Sequence, residues 1–198
     1  MSTKIKPKYL SIQDIFTKKD ECTEIDLIRQ CRKSFFFAGF IHYRFNNETK
    51  EVEFMVLDYQ ENGTGPLQIK FPGGCSELGE TLLETWIREA GMETGFRPSK
   101  NNLWLIHNHQ IDNKAGKIVH IQAFLISKKI GVTIKTKTGS DGGEAGPVYY
   151  MSAQELAYQL FKSHREAFYK TCLKLALENS EYALCLSSTL EYLAPEFE

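Results

Sequence analysis

Residues 71–96 read FPGGCSELGETLLETWIREAGMETGF, and the rest of the chain is best read outward from them. Pro72-Gly73-Gly74 breaks a short strand expected at Leu67 to Phe71. A helical pattern then runs from about Glu80 to Glu93, stopped by Gly95, with Pro98 shortly beyond. At about 100° per residue, Leu82, Leu83, Trp86, Ile87 and Ala90 gather on one face, which is expected to pack against a sheet. Glu89 and Glu93 stand one turn apart on the flank of that face, where they can converge on one cation. Glu80 can approach them from the preceding loop. From Gly74 to Gly95 there are five Glu and one Arg, with no Lys or Asp, a local charge of −4. Acids this close repel unless something neutralises them. Carboxylates with no His or Cys among them suit Mg²⁺ or Mn²⁺ rather than zinc.

The rest of the composition is ordinary. A chain of 198 residues, 42% hydrophobic and 25% charged, suits one domain with an appended helical piece and argues against disorder. Its 24 Lys and Arg balance 25 Asp and Glu, which excludes a protein held to nucleic acid by a uniform basic field. Nucleic acid is accordingly an unexpected partner. Cys22, Cys31, Cys75, Cys172 and Cys185 form no C-x-x-C pair, so reduced cysteines are expected rather than a disulfide framework or zinc ribbon. Met1 to Leu10 is polar with no apolar run after it, and Phe35 to Ile41 is far short of the roughly 20 residues that span a bilayer. The expectation is a soluble, cytoplasmic protein with no membrane partner.

Residues 1–33 form a charged lead-in with eight Lys or Arg and five Asp or Glu, a local +3. Phe35 to Ile41 reads as a strand buried on both faces, and Asn46-Asn47-Glu48 as the turn of a hairpin to a strand at Val52 to Leu57. Leu103 to Gln110 and Ile118 to Ile126 read as two strands joined through Asp112 to Gly116, and Val132 to Lys135 as an extension of the sheet. A glycine-rich loop spans Gly139 to Pro147, followed by a strand at Val148 to Met151. Ser152 is placed to cap a helix, with Glu155 at the capping-box position. From there to Leu193 the pattern is helical, with Phe161, Phe168, Cys172 and Leu175 at helix spacing.

The central segment resembles the signature of the Nudix hydrolase (MutT-like) superfamily. That signature is G, five residues, E, seven residues, R-E, an aliphatic, any residue, E-E, any residue, G, an aliphatic. It falls here on Gly74, Glu80, Arg88, Glu89, Ala90, Glu93, Gly95 and Phe96, with Pro72-Gly73 in front. Two positions depart from it. Met92 replaces the first of the paired acids, and Gly91 lies inside the helix, at a cost on the order of 1 kcal/mol relative to Ala.

The resemblance implies an α/β fold, a mixed β-sheet sandwiched between helices, over residues 34–160. Residues 1–33 and the additional C-terminal helices of residues 161–198 lie outside it, to cap the core or to form a homodimer interface. It implies a metal-dependent enzyme that cleaves a diphosphate bond in a small-molecule nucleoside diphosphate derivative, with Mg²⁺ or Mn²⁺ as cofactor. By similarity, Glu89 and Glu93 would be metal ligands and Glu89 would activate the attacking water. Arg88 would orient these acids, the Gly74 carbonyl would be a ligand, and Glu80 would help close the site. Glu144 stands where many members carry a further metal-binding acid, with Asp141 close enough to substitute. Met92 leaves the metal one carboxylate fewer, so the alternative is a catalytically weak or inactive Nudix-fold protein that binds nucleotide or RNA. No motif selects a substrate: position 110 is Gln where ADP-ribose hydrolases tend to have Pro, and 112 and 113 are not Tyr.

Other residues read as candidates for the substrate groove. His107 and His109 share one face of a strand, and His120 is expected opposite one of them. Groove lining or hydrogen bonding suits these three better than a transition-metal site. Lys70, just before the turn, is placed to meet a substrate phosphate or simply to be solvated. Tyr149 and Tyr150 would stack on a base or face the core. Lys128, Lys129, Lys135 and Lys137 read as solvated lysines rather than a nucleic-acid contact.

Overall fold

The computed structural model describes residues 35–60, 65–77, 79–95, 103–112, 118–127 and 145–197. Among them are strands β1 (Phe35–Asn46), β2 (Glu51–Tyr59), β3 (Gln68–Lys70), β4 (Gly73–Cys75), β5 (Leu103–Asp112), β6 (Ile118–Ser127) and β7 (Ala145–Ser152). Helix α1 (Leu82–Thr94) lies between β4 and β5. Helices α2 (Ala153–Gln159), α3 (Arg165–Glu178) and α4 (Ser180–Leu193) follow β7. The lead-in, the segment at Val132 to Lys135 and the glycine-rich loop up to Glu144 lie outside the described residues.

One strand organises the mixed sheet. The first part of β1 pairs in parallel with β6, from Phe35↔His120 to His42↔Ser127, and antiparallel with β4 through Phe37 to Gly39. Its last part turns to β2, from Tyr43↔Phe54 to Asn46↔Glu51. Further along, β2 carries β3 and β7, while β5 flanks β6. The strand expected to end at Ile41 therefore continues to Asn46, because Tyr43 and Phe45 keep burying alternate side chains beyond the apolar run.

Alternation sorts the core into two layers, as a sheet covered on both faces requires. Phe40, Met55, Leu57 and Val148 meet Ala90 of α1 on one face. Their neighbours Ile41, Phe54 and Val56 meet Phe168, Cys172 and Leu175 of α3 and Leu186 of α4 on the other. The C-terminal helices thus complete the second layer.

Two local readings change. Thr81 caps α1, its Oγ1 accepting the Glu84 N–H at 3.3 Å while the Glu84 carboxylate accepts the Thr81 N–H at 2.8 Å. This capping box starts the helix at Leu82 and leaves Glu80 in the loop. At the far end Gly95 adopts φ 71°. Trp86 and Ala90 are buried as expected, yet Leu83 and Ile87 are only half-buried, and Thr85, Glu89, Glu93 and Thr94 lie deeper. The helix is turned so that its acids face β4, which holds partners for them.

The C-terminal region is also not one helical run. Ser152 caps α2 as expected, accepting the Glu155 N–H at 3.3 Å. Leu160 then returns to extended backbone as a parallel bridge to Ile69, and the Phe161 N–H donates to the Ile69 carbonyl at 2.8 Å. Phe161 sits in this break, half-exposed, while Phe168, Cys172 and Leu175 are core. Asn179 separates α3 from α4, its side chain accepting the Glu181 N–H at 2.9 Å. Among the described residues no helix is long and apolar enough to cross a membrane.

Candidate active site

The site is built on the close approach of β4 to β1. Gly73 adopts φ 148°, and a methyl group there would overlap the Ala38 carbonyl oxygen and lie 2.8 Å from the Gly39 Cα. Only glycine fits both the conformation and the space. The Gly73 N–H is then aimed at α1 and donates to Glu93 Oε2 at 2.5 Å. At Gly74 a methyl group would overlap the Glu89 carboxylate, 2.5 Å from Cδ and 2.6 Å from Oε2. The missing side chain is the space into which Glu89 packs. Both carboxylates are only 3% exposed, so helix spacing and two bare glycines together bury an acid pair.

Arg88 ties the loop, β4 and the helix together. Its Nε and Nη2 donate to Glu80 Oε1 and Oε2 at 2.6 and 2.9 Å, and Nη2 also reaches the Cys75 carbonyl at 2.9 Å. Nη1 donates to Glu89 Oε1 at 2.5 Å. Glu80 accepts further bonds from the Glu77 N–H at 2.8 Å and Thr85 Oγ1 at 3.0 Å. The Arg88 hydrogen bonds, more than any other influence, hold the Glu80 carboxyl down at about 2. In return, Glu80 pushes the guanidinium pKa up. Met92, half-buried, stands with its sulfur 3.8 Å from Arg88 Nη1.

Lys70 enters from β3. Its Nζ donates to the Gly73 carbonyl at 3.4 Å, lies 3.9 Å from Glu93 Oε1 and sits 4.4 Å from the Tyr59 ring centroid. With Glu77 Oε1 3.8 Å from Arg88 Nε, Glu77, Glu80, Glu89 and Glu93 face Arg88 and Lys70, four carboxylates against two cations. Among the described residues no three His, Cys, Asp or Glu side chains form a metal cage. Two buried carboxylates, one packed on Gly74 and one held by the Gly73 N–H, still suit Mg²⁺, which binds through one or two carboxylates and takes its remaining oxygens from water and substrate phosphate.

The other candidates are scattered. Tyr149 and Tyr150 point to opposite faces: Tyr149 donates its hydroxyl to Asp58 at 2.8 Å, while Tyr150 packs on the layer of α1. His107 is buried against α3 instead, its Nδ1 2.8 Å from Lys170 Nζ and 3.7 Å from Glu166 Oε1. A bulge between Leu105 and His107 breaks the alternation there. His120 does not stand opposite either predicted histidine: it pairs with Ile111, whereas His107 pairs with Phe124 and His109 with Gln122. The antiparallel register sets His120 two pairs away from His109 and four from His107. The side chains of His109 and His120, and Asp141, Glu144 and the four lysines from Lys128 to Lys137, lie outside the described residues. Cys75, Cys172 and Cys185 are free thiols.

Sequence reasoning missed a polar group beside Tyr150. The Arg44 guanidinium lies 3.8 Å over the Tyr150 ring, and its Nε donates to Glu53 Oε2 at 2.6 Å. Glu53 also accepts from Asn46 Nδ2 at 2.8 Å. His42 stacks on Phe40 at 6.2 Å and lies 6.1 Å from Tyr150. Burial first, then Arg44, lowers the His42 pKa to about 4. The available signal is the alternation Phe40, His42, Arg44, which continues past the apolar run that ends at Ile41.

Solved structures share this arrangement of strands and helices. The NUDIX domain of Shewanella oneidensis NrtR, complexed with ADP ribose, matches over 72% of this chain and 88% of its own, at 10% identity and TM-score 0.56. A NUDIX hydrolase from Nitrosomonas europaea matches over 64% and 78%, at 15% identity and TM-score 0.50. The fold is the Nudix fold. A T. brucei MERS1–RNA complex matches over 64% of this chain and 54% of its own, at 14% identity and TM-score 0.50. The chain spans about half the length of some of the solved structures it matches. No protein-family model matches the sequence, and no curated protein matches it significantly.

Proposed function

We propose that this chain is a Mg²⁺- or Mn²⁺-dependent hydrolase of a diphosphate bond in a nucleoside diphosphate derivative. The observation that carries the reading is the buried pair Glu89 and Glu93, packed against bare Gly74 and the Gly73 N–H with Arg88 fixing Glu89. Glu89, Glu93 and the Gly74 carbonyl would hold the metal, and Glu144 is the candidate for a further ligand. When bound, the metal supplies charge stabilisation at a phosphoryl oxygen and lowers the pKa of water.

The protein groups divide the remaining work. Glu89 takes a proton from the attacking water as its oxygen adds to phosphorus. The bridging P–O bond breaks, and the leaving phosphate carries away its electron pair. Arg88 keeps Glu89 in place, and Glu80 keeps Arg88 in place. Lys70 Nζ, already 3.9 Å from Glu93, meets a phosphate oxygen. Tyr150, with Arg44 on its ring, offers a surface for a base. A small nucleotide ligand is in keeping with the ADP ribose of the Shewanella neighbour.

Met92 favours a second reading, a protein of the same cleft that binds nucleotide or RNA without turnover. One experiment separates the two. Release of phosphate or nucleoside monophosphate is followed over a broad panel of nucleoside diphosphate derivatives with Mg²⁺ and with Mn²⁺. Metal-dependent turnover, lost in Glu93→Gln, is the expected result. No turnover with either metal, together with ligand-induced thermal stabilisation that chelator leaves unchanged, would replace the first reading with the second.

A further inference from the structure

We infer that His164, in the C-terminal region beyond the Nudix-like segment, is a positioning residue for the acid pair, acting through the backbone of Phe71 to Gly73. The inference rests on the proposed role of Glu93 in holding metal. It begins from the hydrogen-bond accounting of this short stretch. The β2–β3 ladder ends at Leu57↔Lys70, and the β1–β4 ladder begins at Gly39↔Gly73. Between them lie Phe71, fully buried, and Pro72, which has no N–H. The Phe71 N–H therefore falls in a gap between ladders, where a donor without a partner is strongly unfavourable.

His164 fills that gap. Its Nδ1 accepts the Phe71 N–H at 3.2 Å, across 93 residues of sequence. The ring is 2% exposed and held on several sides: stacked on Phe71 at 6.0 Å, tilted against Phe37 at 5.5 Å and edge-on to Phe161 at 5.7 Å. Accepting at Nδ1 requires the tautomer protonated at Nε2. The adjoining backbone adds a second tie, the Phe161 N–H donated to the Ile69 carbonyl at 2.8 Å.

Two residues further on, the Gly73 N–H donates to Glu93 Oε2 on the opposite face of the sheet. The only two amide donors between Lys70 and Gly74 are thus strung across the sheet, one to His164 and one to Glu93. The Pro72 carbonyl between them accepts the Phe40 N–H at 2.7 Å. Letting go of Phe71 would free the strand to rotate and carry the Gly73 N–H away from Glu93. The C-terminal region thereby sets the geometry of a carboxylate on the opposite face of the sheet.

The test compares wild type with His164→Phe, which keeps an aromatic ring but removes the acceptor, and His164→Asn, whose Oδ1 can replace Nδ1. Amide hydrogen exchange at Phe71 and Gly73, Mn²⁺ affinity from water-proton relaxation and thermal unfolding are measured on each full-length protein. Loss of one buried acceptor predicts that His164→Phe loses about tenfold or more in protection at both amides. Mn²⁺ binding weakens alongside, and His164→Asn restores both. Wild-type protection at Gly73 in folded His164→Phe would overturn the inference. So would failure of His164→Asn, which preserves the hydrogen bond, to restore it. If wild type binds no Mn²⁺, the metal reading of Glu93 fails, while the exchange data still decide whether His164 positions Gly73.

Discussion

Gly73→Ala and Gly74→Ala place the same methyl group on adjacent residues, yet they should fail in different ways. At position 73 the added carbon meets backbone, the Ala38 carbonyl and the Gly39 Cα, and the residue must hold φ 148°. Neither neighbour can move without separating β4 from β1, and the conformation alone costs about 1–3 kcal/mol. Clash and strain together should exceed about 3 kcal/mol, which is a shift of roughly 6–12 °C or more for a chain of this size. At position 74 the added carbon meets only the end of a side chain, 2.5 Å from Glu89 Cδ. Glu89 can swing away, but it then gives up the 2.5 Å bond from Arg88 Nη1. A charge-assisted bond contributes about 1.5–3 kcal/mol, reduced here because the displaced carboxylate regains water. A fall of about 1–2 kcal/mol, or roughly 2–8 °C, is expected, with the fold intact. Displacing Glu89, a proposed ligand, should also weaken Mn²⁺ binding roughly 10–100-fold. Thermal unfolding and water-proton relaxation measure the two effects on the same samples. Gly74→Ala with wild-type Mn²⁺ affinity, or Gly73→Ala no less stable than Gly74→Ala, would refute the reasoning.

Three further outcomes follow from the same geometry. Glu80 has its pKa lowered to about 2 from an ordinary 4.5, so its stabilisation is complete above pH 4.5 and lost as pH falls through 2. Unfolding midpoints of Glu80→Gln should therefore fall less steeply with acid across that window than those of wild type, and parallel curves would contradict the Arg88 fork. His42 is kept neutral with a pKa lowered to about 4 from 6.5, so stability falls as pH drops from 6.5 to 4 and levels off below. His42→Phe should flatten that interval in a melting-temperature profile, and an unchanged slope would show that His42 is not the group responsible. Glu93→Gln keeps an oxygen for the Gly73 N–H while removing a buried negative charge, so its melting temperature should equal or exceed that of wild type even as Mn²⁺ binding falls; marked destabilisation would mean that the charge serves the fold.

What was legible in the sequence was what depends on near neighbours. The helix of Glu89 and Glu93 is set by 3.6-residue periodicity, the glycines before it by the sharp break after Phe71, and the cap at Ser152 by a contact three residues away. The strands were legible where apolar residues ran together, as at Phe35 to Ile41. What escaped depends on partners distant in the chain. Nothing local says that β1 changes partner from β6 to β2 and continues as His42-Tyr43-Arg44, so the group around Tyr150 stayed hidden. Nothing local gives the strand register either, which sets His120 across from Ile111. The tail read as continuous helix because the extended backbone of Leu160 is dictated by Ile69, more than 90 residues earlier.

The helix α1 shows why a hydrophobic pattern alone misplaces such a site. A helix that served only to cover the sheet would turn Leu83 and Ile87 inward and leave its acids in water. This one leaves Leu83 and Ile87 half-buried and places two carboxylates at 3% exposure. Taking each from water costs several kcal/mol before its partners act, and apolar residues of similar volume often serve stability as well or better. The partners are specific: bare glycine at 74 for Glu89, a backbone N–H at 73 for Glu93, and Arg88 and Lys70 for charge. Each compensates for part of the desolvation, and none would be needed if the acids faced solvent. An arrangement that gives up hydrophobic burial and requires two adjacent glycines is in keeping with the proposed metal-binding role of the carboxylates, and covering the sheet does not require it.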